Sequence, residues 1–231
     1  MRKIRIAVLG HKRIPSREGG IEVAAEELGS RLAQMGCDVT CYNRSGHHVS
    51  GAKYDGKTDV RVYKGMRLKK VPTLDIRGAA AASSSFFATL FSAVGRYDVV
   101  HIHAEGPAVF CWLPRIFGKK IVVTVHGLDW RREKWKGGFS SWYIRLGERM
   151  AVKFANEVIV LSKGVQSYFM DTYGRRTELI PNGVNVFQRI PACEITARYG
   201  LTPDEYILFL SRLVPEKGLK NLILAYQQIH T

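Results

Sequence analysis

Ile4-Arg5-Ile6-Ala7-Val8-Leu9 opens the chain, Glu18-Gly19-Gly20 closes the polar loop after it, and Gly36 leads into Cys37-Asp38-Val39-Thr40-Cys41-Tyr42. The first run is short, apolar and β-branched, broken only by Arg5, as in a strand buried on both faces of a parallel sheet. Between the glycines, Ile21, Ala24, Ala25, Leu28, Leu32 and Met35 fall on one helical stripe, and Gly36 supplies a C-terminal stop. Cys37–Tyr42 predicts a second strand. The whole stretch is therefore a β-α-β unit whose loop and helix start lie at the carboxyl end of the first strand, the edge at which open α/β sheets bind ligands.

Working outward, strand patterns recur at Asp98–His103, Lys120–His126 and Glu157–Ser162, each followed by a helical stretch. That repetition predicts a Rossmann-like, doubly wound parallel sheet over residues 1–183. Thr177–Ile180 adds a short last strand, ended by Pro181-Asn182-Gly183. Between Gly46 and Pro72 the pattern is less regular, and short strands are expected at Val60–Tyr63 and Met66–Val71. Gly78–Val94, rich in Ala, Ser and Phe, reads as a helix packed on the sheet in preference to one lying on lipid. Residues 184–204 read as a linker with a short helix at Glu194–Tyr199. In residues 205–231, Tyr206–Leu210 predicts a buried strand, followed by a helix with Leu219, Leu222, Ile223 and Tyr226 on one face. A single strand and helix cannot bury their own apolar faces, so this segment is expected to be the opening of a second, truncated Rossmann-like domain.

Composition sets the outer bounds. With 46% hydrophobic and 24% charged residues, the chain of 231 residues is neither disordered nor fibrous. Lys and Arg number 35 against 20 Asp and Glu, a formal charge of +15 that calls for an anionic partner: a nucleotide, a phospholipid surface or nucleic acid. Part of the excess is clustered, at Arg61, Lys64, Arg67, Lys69 and Lys70 and at Arg131, Arg132, Lys134 and Lys136. No run of 18 or more apolar residues occurs and Met1–Arg5 leads straight into a strand, so a cytoplasmic protein without a spanning helix is expected. The four cysteines lack CxxC spacing and read as reduced, structural thiols.

Three places carry candidate chemistry. Gly19-Gly20, at the hand-over from strand to helix, leaves backbone N–H groups and the positive helix end open to a phosphate or carboxylate, although a simple tight turn fits equally well. The GxGxxG dinucleotide fingerprint is absent there. Arg212 and Lys217 share one loop ahead of the last helix, where a forked guanidinium and a point-charge ammonium suit a diphosphate. His126 and Asp129 stand at the carboxyl end of their strand. His101 and His103 share a strand face near Glu105 and raise a metal reading, but a complete ligand set is not visible, so no metal is expected.

Taken in order, Gly19-Gly20-Ile21-Glu22, Thr124-Val125-His126-Gly127-Leu128-Asp129-Trp130, Pro181-Asn182-Gly183-Val184-Asn185 and Ser211-Arg212-Leu213-Val214-Pro215-Glu216-Lys217-Gly218 resemble the retaining GT-B glycosyltransferases of family 4. The His-Gly-Leu-Asp-Trp run resembles the bacterial rhamnosyltransferase-like group. The resemblance implies two Rossmann-like domains, with the acceptor, a glycan or a lipid-linked acceptor, held mainly by the first and the nucleotide-sugar donor mainly by the second. It implies Arg212, Lys217 and Gly20 at the donor diphosphate and His126 as the catalytic-site residue beside the donor sugar. Glu22, Asp129, Trp130 and Arg131 are then the acceptor-side candidates. No cofactor or metal is implied, since the two cations stabilise the leaving nucleotide. Peripheral contact with the inner face of the membrane would suit the basic surface.

Two departures stand out. The Glu-x7-Glu motif of the family's donor domain does not occur after Arg212, and the usual Asn-Gly-Val-Asp turn ends here in Asn185. Full donor binding by this chain alone is therefore not expected, and a folded but non-catalytic remnant is an alternative. A nucleic-acid-binding α/β protein is another, permitted by the charge but unsupported by any motif, so no nucleic-acid partner is expected.

Overall fold

The computed structural model describes residues 2–16, 19–46, 61–74, 76, 79–131, 138–184, 186, 191–211 and 213–229. Contacts divide the chain into two compact units, residues 1–182 and 183–231.

The first unit is built on eight strands: β1 (Arg5–Leu9), β2 (Asp38–Arg44), β3 (Val62–Tyr63), β4 (Met66–Val71), β5 (Val99–His103), β6 (Lys120–Val125), β7 (Glu157–Val160) and β8 (Glu178–Leu179). Their order across the sheet is β3-β4-β2-β1-β5-β6-β7-β8, and every pairing is parallel except β3 with β4. The doubly wound α/β sheet expected from the β-α repetition is present. Helices α1 (Gly20–Gln34), α2 (Ala79–Val94), α3 (Glu105–Ala108), α4 (Trp112–Ile116), α5 (Gly138–Phe154) and α6 (Lys163–Tyr173) accompany it. The chain leaves β1 toward β2 but leaves β5 toward β6. Strand order thus reverses between β1 and β5, and their carboxyl ends flank the crevice in which such sheets hold ligands.

Alternation along the strands builds a core on each face. In β1, Ile6 and Val8 join Ala25, Val39, Cys41 and Met66 on one side, while Ala7 and Leu9 join Val100, Ile102, Val123, Val158 and Phe169 on the other. Phe169 of α6 is fully buried, which stabilises the fold by about 1.5–3 kcal/mol relative to leaving it in water. Between β1 and the site, Gly10 has φ +102°, and a Cβ there would lie 2.1 Å from the carbonyl oxygen of His103. No other residue lets β1 and β5 pass so closely.

The irregular stretch before α2 contains a hairpin. Lys64 and Gly65 both take left-handed backbone, φ 48° and 80°, which turns β3 tightly into β4, and Lys64 Nζ reaches Glu26 on α1 at 2.8 Å. Helix α2 packs on β1 and β4 as expected from its small residues, with Ala88, Thr89, Ser92 and Ala93 buried. Among the described residues, no helix is long and apolar enough to cross a membrane.

The second unit contains α7 (Cys193–Tyr199), a 3-10 turn at Pro215–Lys217 and α8 (Leu219–Ile229). The strand expected at Tyr206–Leu210 is not formed. Among the described residues its apolar run has no neighbouring strand to complete a ladder, and Ile207, Leu208 and Leu210 are exposed. Apolar patterning supplies a strand's side chains but not its hydrogen-bond partners.

Candidate functional site

His103 ends β5 and His126 follows β6, so the pairing that sets His103 beside Thr124 brings both rings to the sheet's carboxyl edge. His103 Nδ1 lies 3.0 Å from His126 Nε2, and the rings stack with centroids 5.3 Å apart. Two residues back on the same face, His101 stacks on His103 at 4.4 Å and its Nε2 lies 2.7 Å from Thr124 Oγ1. Burial, with His126 adding, pushes His101 down to about 4. Burial also drives His103 well below the ordinary histidine range, helped by His101, His126 and His11. A neutral His103 at neutral pH shares a single proton along the bond to His126, and that bond sets the orientation of the half-buried His126 ring.

The loop after β1 is clasped to β2. His11 Nε2 lies 3.0 Å from Asn43 Oδ1, the same oxygen accepts the Ile14 N–H at 3.1 Å, and Asn43 Nδ2 donates to Ile14 O at 2.8 Å. Burial pushes His11 down to about 4, against opposing influences from Asn43 and Glu22. Arg44 closes β2 beside Glu22 and Tyr143, and desolvation lowers its pKa. Tyr143 Oη is buried without a hydrogen-bond partner among the described residues, and burial pushes that phenol up to about 12.

Helix α1 starts at Gly20 with Gly19 as an extended N-cap. Gly20 is exposed, and a Cβ there would meet nothing within 4 Å. Glu22 in the first turn is buried, accepts the Lys12 N–H at 3.0 Å, and lies so close to Gly19 that a Cβ there would come within 2.1 Å of Oε2. The positive helix end therefore already faces a carboxylate of its own chain.

Beyond His126 the chain turns at Gly127, φ +142°, into a 3-10 turn at Asp129–Arg131. The Asp129 N–H donates to Glu105 Oε2 at 3.0 Å. Trp130 Nε1–H donates to Glu148 Oε2 at 3.3 Å, while the Arg145 guanidinium lies 4.1 Å and that of Arg131 5.0 Å from the indole centroid. Trp130 is thus held between α5 and its own turn, whereas Arg131 is exposed.

His126, Asp129, Trp130 and Arg131 come together on one turn, and Glu22 and Gly20 belong to the neighbouring start of α1. Lys217 belongs to the 183–231 unit, exposed at the end of its 3-10 turn ahead of Gly218, φ +71°. Arg212 and Asn185 lie outside the described residues. Sequence reasoning missed Arg44, Tyr143 and Glu148. A signal existed for Glu148, which interrupts the otherwise small and apolar buried stripe Ile144, Gly147, Ala151 of α5. Among the described residues, no group of three or more His, Cys, Asp or Glu side chains is arranged to hold a metal ion.

Residues 18–187 match the Glycosyltransferase Family 4 domain. The chain belongs to that family. This family 4 chain is 28% identical, over 241 aligned positions, to the α-maltose-1-phosphate synthase of Mycolicibacterium smegmatis, covering 96% of the chain and 57% of that protein. It is 25% identical over 132 positions to the uncharacterized glycosyltransferase YqgM of Bacillus subtilis, covering 55% of the chain and 34% of YqgM. Among solved structures, the sucrose-phosphate synthase of Thermosynechococcus elongatus superposes with a TM-score of 0.71 at 19% identity, over 99% of this chain and 60% of that one. At that identity the likeness speaks for the GT-B fold. The chain spans less than two thirds of the length of each of these proteins.

Proposed function

We propose that this family 4 chain is the acceptor-side portion of a retaining glycosyltransferase that moves a sugar from a nucleotide-sugar donor to a glycan or lipid-linked acceptor, in the manner of the bacterial rhamnosyltransferase-like group. The single observation that carries the proposal is the placement of His126: half-buried at the carboxyl edge of β6 and oriented by His103, on a turn that also presents Asp129 and Arg131. An imidazole oriented in this way can hydrogen-bond a donor-sugar hydroxyl and fix the ring for attack at its anomeric carbon.

In this reading residues 1–183 form the acceptor domain, 184–204 the linker and 205–231 the start of the donor domain. Lys217 and Arg212 bind the donor diphosphate and offset the charge that develops on the leaving nucleotide, so no metal or cofactor takes part. The Gly20 amide offers a backbone donor to an anion at the start of α1. Glu22, Asp129, Trp130 and Arg131 surround the acceptor. The protein works in the cytoplasm, with its +15 charge favouring peripheral contact with an anionic inner membrane leaflet. Because the M. smegmatis relative is named for a sugar-phosphate product, a phosphorylated sugar also belongs among the acceptors to be tried.

The test is a transfer assay on the whole gene product, offering UDP- and dTDP-sugars against glycan, lipid-linked and sugar-phosphate acceptors, with product anomers assigned by NMR. Formation of a product with retained configuration, lost in His126→Ala at unchanged melting temperature, is the expected result. Absence of transfer and of nucleotide-sugar binding by calorimetry, with salt-sensitive binding of DNA or RNA instead, would overturn the proposal.

A further inference from the structure

Glu105 and Glu148 are both almost fully buried, in a protein whose other described acidic side chains lie mainly at the surface or in ion pairs. The backbone has been shaped to bring them together. Ala104, immediately before Glu105, has φ 75° and ψ 159°, a region that costs a residue bearing a Cβ about 1–3 kcal/mol. The Ala104 N–H is meanwhile tied to Thr124 O of β6 at 2.9 Å. On the facing helix, Gly147 precedes Glu148, and a Cβ at Gly147 would fall 1.9 Å from the Glu105 carbonyl oxygen. A strained residue and an obligatory glycine thus both serve the approach of α3 to α5.

The hydrogen bonds of the pair run outward to the His126 turn. Glu105 Oε2 accepts the Asp129 N–H at 3.0 Å. Glu148 Oε2 accepts the Trp130 indole N–H at 3.3 Å, while Oε1 accepts the hydroxyls of Tyr168, at 2.8 Å, and Tyr173 of α6. Three donors converging on Glu148 suit a carboxylate. Burial, followed by the proximity of Glu148, keeps the Glu105 carboxyl protonated far above the usual range. One acid and one carboxylate side by side avoid the cost of two buried like charges.

We propose that Glu105 and Glu148 are positioning residues for the transfer reaction: a buried acid pair on α3 and α5 that holds the Asp129–Arg131 turn from beneath, through the Asp129 amide and the Trp130 indole, and so fixes how His126 and Asp129 are presented. The inference rests on the reading of that turn as part of the transfer site. Neither glutamate touches substrate in this assignment. Their hydrogen bonds go to the backbone and indole of the turn and to the two tyrosines of α6, and the reacting atoms are met by the residues they hold.

The role separates into distinct chemical demands. At position 105 the site needs an acceptor for the Asp129 N–H, which a glutamine also provides. At position 148 it needs an acceptor for hydroxyl and indole donors, which a glutamine provides only at one oxygen.

The experiment uses the whole gene product and two readouts. Amide hydrogen exchange over residues 124–131 reports the hold on the turn without reference to activity, and steady-state transfer kinetics report its consequence. Glu105→Gln is expected to keep both exchange protection at Asp129 and kcat within about threefold of the parent. Glu105→Ala is expected to lower protection at Asp129 by about tenfold or more and to lower kcat with little change in the donor KM. Glu105→Leu, which keeps the volume without the acceptor, serves in its place if the alanine variant does not fold. Unchanged protection at Asp129 in the alanine or leucine variant would overturn the positioning role whatever the activity. Loss of activity in Glu105→Gln equal to that in Glu105→Ala would also overturn it, since it would mark Glu105 as a proton-transfer group. Full activity in His126→Ala would instead sink the reading of the turn as the transfer site, and with it the catalytic meaning of the clamp.

Discussion

Replacing Gly147 by alanine puts the helix packing beneath the site to a quantitative test. In an isolated helix the change would be favourable by about 1 kcal/mol, because alanine loses less backbone entropy. Here the new methyl carbon would sit 1.9 Å from the Glu105 carbonyl oxygen, 2.8 Å from its carbon and 3.2 Å from Val109 Cγ2. Carbon–oxygen contacts settle at about 3.3 Å or more, so α5 would have to retreat from α3 by more than about 1 Å. Two of the three atoms are backbone, and no rotamer change relieves them. Overpacking of this kind costs about 1–3 kcal/mol, and the immobile partner places this case at or above the upper end. Set against the propensity gain, the net loss is about 2 kcal/mol, or about 4–8 °C in Tm for a domain of this size. Thermal melting followed by far-UV circular dichroism, with urea unfolding to give the free energy, measures it directly. A melting temperature equal to or above that of the parent would refute the close approach of α3 and α5, and with it the reason the two glutamates meet.

Other perturbations address the site and its supports. In the whole gene product, Lys217→Ala and Arg212→Ala are each expected to lower kcat/KM for the nucleotide-sugar at least about a hundredfold at unchanged melting temperature; full activity in both would remove the diphosphate assignment. His11 and His101 are held at about 4 in the folded chain against an ordinary value of about 6.5, so the unfolded state binds more protons between those limits. Stability is therefore fully present above pH about 6.5 and falls as the pH drops toward about 4; urea midpoints measured across that window should decline, and less steeply in His101→Gln. Ala104→Gly is expected to raise stability by about 1 kcal/mol by relieving a backbone conformation suited to glycine, and an unfolding midpoint at or below that of the parent would count against the strain.

Much of the architecture was legible because parallel strands covered on both faces leave a simple trace. Runs such as Ile6–Leu9 and Ile121–Val123 are apolar on successive residues, and each precedes a helical stripe at a spacing that allows only a crossover. The carboxyl-edge position of His126 followed from the same logic. The β3–β4 hairpin was only faintly visible, since two residues of strand and a Lys64-Gly65 turn carry little periodic signal. Tyr206–Leu210 misled because it has the composition of a strand without a neighbour to pair with. The glutamate pair was hidden for a different reason. Glu105 and Glu148 stand far apart in the chain, and nothing local to either shows that Gly147 brings their helices into contact; the acidic residue on the buried face of α5 was a signal of Glu148 alone, and it was missed.

Glu22 has a further consequence for how the front of the sheet responds to ligands. Its carboxylate already lies against Gly19 and is tied to the amide of Lys12, so the loop leaving β1 and the first turn of α1 form a closed loop of mutual attraction. If the Gly20 amide receives an anion as proposed, the anion competes with Glu22, which would have to yield part of its hold on the loop. Under that proposal, occupancy at the helix start would loosen the Lys12 end of the loop, next to the residue that sits beside Asn43, His11.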